Sequence, residues 1–145
     1  MIMNIESIIK QIAEEKFSGY SYLFENWYDA DTKLERMNYP AIVCIVPSSG
    51  ATEIKNGRIY DKENIALCFL DKAPRNAEGE DNAEIYTRMK ADGAKFIHAL
   101  NKTRAFLPLD GELYYDMICE RLSSVVTGVM YSLTIKQAIG ECMNG

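Results

Sequence analysis

From Gly128 to Lys136 the chain alternates without a break: Val129, Tyr131, Leu133 and Ile135 fall on one side, and Met130, Ser132, Thr134 and Lys136 on the other. A period of two sustained over that length is the pattern of a β-strand with one face buried. The run before it, Leu113 to Leu122, is rich in Tyr, Met and Ile and has no helix cap. The two read as long antiparallel strands joined around Ser123–Gly128. A half-buried hairpin cannot be stable alone, so the rest of the chain must supply more strands and a layer of helix to cover the apolar face.

The remaining sequence supplies both. Asn4 to Lys16 carries Ile5, Ile8, Ile9, Ile12 and Ala13 at helical spacing, with Glu6, Lys10, Glu14 and Glu15 turned outward. Asn4 is placed to cap this helix and Phe17-Ser18-Gly19 to end it. Tyr20 to Tyr28, which holds the only Trp (Trp27), is aromatic enough to read as a strand, and Asp29 to Asn38 as an exposed loop. Tyr39 to Val46 is a continuous apolar run, as in a strand buried on both faces, with Pro40 tolerated at its start and Pro47 at its end. Asn56-Gly57, between Ile54 and Ile59, is the strongest turn signal and predicts a tight hairpin. Ile65 to Leu70 reads as a further buried strand and Asp71 to Gly79, with Pro74, as a loop.

Asp81-Asn82-Ala83-Glu84 resembles a capping box and opens the longest predicted helix, which runs to about Lys102. Its stripe is Ile85, Met89, Phe96, Ile97 and Leu100, with Gly93 on or near it. Glycine inside a helix costs up to about 1 kcal/mol relative to alanine, so a close approach to the sheet is expected there. Arg104 to Leu109 and an Asp110-Gly111 turn lead into the C-terminal pair. The expected fold is therefore α+β in one domain spanning residues 1–145. It has a mostly antiparallel sheet, an N-terminal helix and one long helix packed on a face, and a long C-terminal β-hairpin.

Composition restricts function more than it reveals it. With 16 basic against 21 acidic residues and a net charge of −5, the chain lacks the cationic surplus of a dedicated nucleic-acid binder. Cys44, Cys68, Cys119 and Cys142 form no Cys-x-x-Cys pair, and the single His98 completes no zinc spacing. The first three sit in apolar runs and read as reduced, buried thiols. No signal peptide and no apolar run long enough to span a membrane is visible, which points to an intracellular protein.

Chemistry is harder to find. His98 has no neighbouring nucleophile-elbow pattern and reads as a structural or partly exposed helix residue. Asp29 and Asp31 open no EF-hand, because Pro40 stands where the loop needs Glu. Pro47-Ser-Ser-Gly-Ala-Thr52 follows a strand but lacks the Lys-Ser/Thr of a phosphate loop. Asn101-Lys102-Thr103 fits a glycosylation sequon, which matters only to a secreted chain. Glu112, Asp116 and Glu120, with Asp110 before them, form a carboxylate row at strand period, which suits a cation site or simply an outer sheet face. Arg88, Lys95 and Lys102 recur every seven residues as a basic stripe on the long helix, either a solvated face or a dock for an acidic partner. No catalytic, cofactor-binding or metal-ligating residue is assigned.

The order of N-terminal helix, meander, long helix and long C-terminal hairpin resembles small phage tail-terminator and related neck, or head–tail-joining, proteins. Arg121-Leu-Ser-Ser-Val-Val-Thr-Gly-Val-Met-Tyr-Ser-Leu-Thr-Ile-Lys136 is similar to the closing strand of such prophage-encoded tail proteins. The resemblance implies a non-enzymatic assembly protein that forms a ring-like homo-oligomer, contacts other tail or head-connector proteins and lets DNA pass nearby without gripping it. An acidic lumen would repel phosphate and suit that passage. A ring requires head-to-tail contacts. The contact residues expected on this reading are Tyr20, Tyr22 and Trp27 as exposed aromatics, Arg88, Lys95 and Lys102 on the stripe, and Val129 and Tyr131 on the hairpin. The alternative is a cytoplasmic ligand- or peptide-binding domain, with a pocket between sheet and long helix lined by Met89, Phe96, Tyr114 and Tyr115.

Overall fold

The computed structural model describes residues 4–34, 36–73, 79–121 and 125–141. Eight elements follow in order: α1 (Ile5–Lys16), β1 (Ser21–Glu25), α2 (Trp27–Leu34), β2 (Ala41–Lys55), β3 (Arg58–Lys72), α3 (Gly79–Lys102), β4 (Tyr115–Arg121) and β5 (Val125–Glu141). The five strands form one sheet in the order β1-β2-β3-β5-β4. β1 runs parallel to β2, and every other pair is antiparallel. The expected α+β class, with helices on a mostly antiparallel sheet and a C-terminal hairpin, is what the chain adopts.

Each face of the sheet buries its own cluster, as the period of two demands. Ile42, Cys44, Leu67, Phe69, Val129, Tyr131, Leu133 and Ile135 point toward α1 and α3. Val43, Ile45, Cys68, Leu70, Ile118 and Val126 point the other way, under Ala30 and Leu34 of α2. The alternation of β5 is therefore realised as predicted. Gly93 of α3 is where the helix comes nearest the sheet. A methyl group there would lie 2.5 Å from the Tyr131 ring and 3.2 Å from that of Phe69. Glycine is used because nothing larger fits.

The Asn56-Gly57 turn forms as expected, with φ of 52° and 77°, the left-handed pair that a tight hairpin needs. It joins strands much longer than the two apolar runs suggested. β3 is continuous from Arg58 to Lys72 and takes in Ile65–Leu70. β2 passes through Pro47, where pairing skips between Ile45 and Ser49. Proline has no N–H for the ladder, and a bulge absorbs it rather than ending the strand. The far halves of β2, β3 and β5 thus extend beyond the helices as a three-stranded ribbon.

Three further expectations are corrected. Tyr20–Tyr28 is not one strand: β1 ends at Glu25 and α2 begins at Trp27, taking in the start of the expected Asp29–Asn38 loop. The cause is a cap, since Asn26 accepts from the Asp29 N–H at 2.9 Å and donates to the Asp29 carboxylate at 2.8 Å. The long helix starts at Gly79, two residues before the predicted box, and Asn82 accepts from the Thr127 hydroxyl of β5 instead of serving the cap. β5 is already running at Val125, inside the expected Ser123–Gly128 turn. Residues 122–124, residues 74–78 of the predicted loop, and Cys142 lie outside the described residues.

Candidate functional site

The residues predicted as partner contacts divide sharply. Val129 is fully buried and Tyr131 almost so, both beneath α3, with Tyr131 set edge-on to Phe69. They belong to the core, because the hydrophobic face of β5 is the face the helix covers. Tyr20 and Tyr22 are half-buried, not exposed. Tyr20 donates its hydroxyl to Asp92 of α3, and Tyr22 donates to Glu6 of α1 at 3.0 Å, so each fastens a helix to the sheet. Burial, and then the neighbouring carboxylate in the case of Tyr20, raises the pKa of both phenols above the ordinary tyrosine value. The side chain of Trp27 lies outside the described residues.

The basic stripe is also split. Arg88 is spent within the chain, donating to Asp71 at 2.6 Å and to Glu84 at 3.3 Å. Lys95 and Lys102 are exposed and make no ion pair among the described residues. Together with Lys16 and His98 they line a cleft of about 680 Å³ between the end of α1 and the second half of α3. Phe17, Tyr20 and Pro40 contribute aromatic and apolar wall. Sequence spacing pointed to Lys95 and Lys102 but not to Lys16, which only the α1–α3 packing brings to them.

The pocket expected between sheet and long helix is filled. Met89 and Phe96 have no exposed surface, and Phe96 packs on Phe17 and Phe69 with ring centroids 5.3 and 5.5 Å away. Tyr114 and Tyr115 lie instead on the outside of the sheet edge, 71% and 41% exposed.

That edge is the other feature with functional content. β4 pairs with β5 on one side only and is the last strand of the sheet. Its α3-side residues are Tyr115, Met117 and Cys119, and all three are exposed: Met117 is 54% exposed, and Tyr115 is 41% exposed although its ring packs on Tyr131 and lies under the Lys90 ammonium at 5.9 Å. Cys119 was expected in a core, and the edge position of β4 is why it is not. Cys44 and Cys68 are buried as expected, and burial pushes the Cys44 thiol up to about 12, which makes it inert as a nucleophile near neutral pH.

Among the described residues no group of three His, Cys, Asp or Glu side chains is placed to hold a metal, and no helix is long and apolar enough to cross a membrane. His98 is exposed at the cleft rim. Asp29 serves the α2 cap. No protein-family model matches the chain, and no curated protein matches it.

Proposed function

We propose that this chain is a structural assembly protein of a phage or prophage tail, of the tail-terminator or head–tail-joining kind, acting through subunit contacts and not through catalysis. The supporting observation is the β4 edge. A terminal strand with large exposed apolar side chains on one face is a candidate for contact with another chain, and the exposed Asp116 lies on the opposite face of β4, where it does not shield them. Here Met117 and, beside it, Tyr115 are 54% and 41% exposed. Docking of a neighbour against this edge would bury those side chains.

On this reading the partners are further copies in a ring and then other tail or head-connector proteins. DNA passes nearby without specific binding, no membrane or cofactor is involved, and the protein is cytoplasmic before it joins a virion. A cytoplasmic ligand- or peptide-binding domain is the second reading, and the α1–α3 cleft is the observation that favours it, because its volume is within the range of small-molecule sites. Light scattering behind a sizing column separates the two. Discrete multimers, or mass that grows with concentration, support assembly. A strict monomer at high concentration contradicts it.

A further inference from the structure

The two edges of the sheet carry opposite charge. Toward the β1 edge, the α1–α3 cleft gathers Lys16, Lys95 and Lys102, with His98 beside them. Its one carboxylate, Asp92, is engaged by the Tyr20 hydroxyl. Glu15, next to Lys16 in sequence, accepts from Gln11. At the β4 edge the carboxylates predominate, with Lys90 of α3 over the Tyr115 ring as the cation beside them. Asp110, Glu112 and Asp116 are all exposed along the segment that enters and begins β4. Lys62 and Lys136 share a groove with Asp110 and Glu112, but both are already paired with Glu53, at 2.5 and 2.8 Å. The carboxylate row and the lysine cleft thus lie on opposite sides of a five-stranded sheet, whose outer strands are about 19 Å apart at ordinary strand spacing.

The spacings also correspond. Lys95 and Lys102 are two helical turns apart, about 10.5 Å along the axis of α3. Glu112 and Asp116 are about 13 Å apart on an extended chain, with their side chains in phase. Flexible lysine stems close the remaining difference.

We infer that the lysine cleft is the receiving half of a head-to-tail contact with a second copy of this chain, whose Glu112–Asp116 edge it accepts. This rests on the assembly reading and specifies its geometry. A contact between two different surfaces is heterologous, and it makes rings or filaments instead of closed two-fold dimers. Acidic side chains meet the lysines, while Tyr114, 71% exposed and next to them in the chain, brings apolar surface toward Phe17 and Pro40.

The test uses two full-length double variants, Lys95→Glu/Lys102→Glu and Glu112→Lys/Asp116→Lys, with Lys10→Glu/Lys55→Glu as a charge-matched control. All these positions are exposed, and circular dichroism checks that each protein is folded. Like charges placed opposite one another cost enough to weaken association by at least about tenfold. We expect each interface variant to stay monomeric where the unaltered chain assembles, and the control to assemble normally. Because each variant keeps one intact surface if the contact is heterologous, an equimolar mixture of variants is informative. Reversed cleft and reversed edge now carry complementary charge, and the intact cleft of one meets the intact edge of the other. The mixture should regain mass that neither component has alone. Variants that assemble as the unaltered chain does overturn the inference and leave the assembly reading standing. Variants that fail alone and also fail when mixed overturn the head-to-tail pairing. An unaltered chain that never associates overturns the assembly reading itself, and the inference with it.

Discussion

β4 and β5 are neighbours in the same sheet and show apolar residues on the same face, the one toward α3, yet on that face they differ sharply in burial. Tyr131 of β5 sits directly across from Tyr115 of β4, and Val129 from Met117. The β5 residues are 6% and 0% exposed, their partners 41% and 54%. The helix α3 lies over β3 and β5 and reaches β4 with side chains such as Lys90, over the Tyr115 ring, so one strand spacing of about 4.8 Å separates core from half-exposed surface. Apolar pattern alone therefore does not identify core. What a strand buries depends on what lies above it.

If that contrast is real, substitutions on the two strands and beneath the helix should act on different quantities. The largest loss of stability is expected from Phe96→Ala, which removes a fully buried ring that packs on Phe17 and Phe69. About 3–5 kcal/mol should disappear from the urea unfolding free energy. Gly93→Ala comes next. The added methyl meets the Tyr131 ring, and overpacking of about 1–3 kcal/mol outweighs the gain in helix propensity of up to about 1 kcal/mol. A variant more stable than the parent would show that α3 does not approach β5 as described.

Tyr20→Phe removes a single hydroxyl bond to Asp92 and should cost about 1 kcal/mol, measured by the same denaturation. At the edge, Met117→Ser should change monomer stability by less than about 0.5 kcal/mol, because that side chain is 54% exposed among the described residues. Its effect should be seen in self-association instead, as a rise in the concentration at which multimers form. A Met117→Ser protein that unfolds easily would place β4 in the core and remove the contrast.

The ribbon beyond the helices offers the smallest effect. Hydrogen bonds from Lys136 and then Lys62 hold the Glu53 carboxyl down at about 2. A depressed carboxylate pKa stabilises the fold above the unfolded-state value and loses that contribution as pH falls through the folded one. Ribbon order should therefore decline between the ordinary carboxylate range and about pH 2, and Glu53→Gln should abolish that dependence. Carboxyl chemical shifts followed through an acid titration would show it.

The parts of this fold that sequence reveals are those fixed by local rules. The alternation from Gly128 to Lys136, the Asn56-Gly57 turn and the stripe on α3 each follow from two or three neighbouring residues, and each is present in the structure. Gly93 was legible too, as an exception that needed a reason. The Asn26–Asp29 cap was equally local, but the aromatic run on either side of it masked the signal and suggested a strand. The candidate surfaces were far less legible. Whether Tyr22 is exposed depends on Glu6 lying above it, and whether Arg88 is free depends on Asp71, seventeen residues away. Lys16 joins Lys95 and Lys102 only once α1 has packed beside α3. Strand order decided the rest: nothing in Leu113–Leu122 says that β4 will be the outermost strand.

The most direct measurement is amide hydrogen exchange along β4 as a function of protein concentration. Among the described residues no strand lies beside the outward N–H groups of Tyr115–Arg121, while β5 is paired on both sides. We expect β5 amides to be protected at every concentration and β4 amides to gain protection only as multimers form. If β4 exchanges at one rate from dilute to concentrated protein while the mass rises, its edge is not the interface, and the apolar row on it has another use.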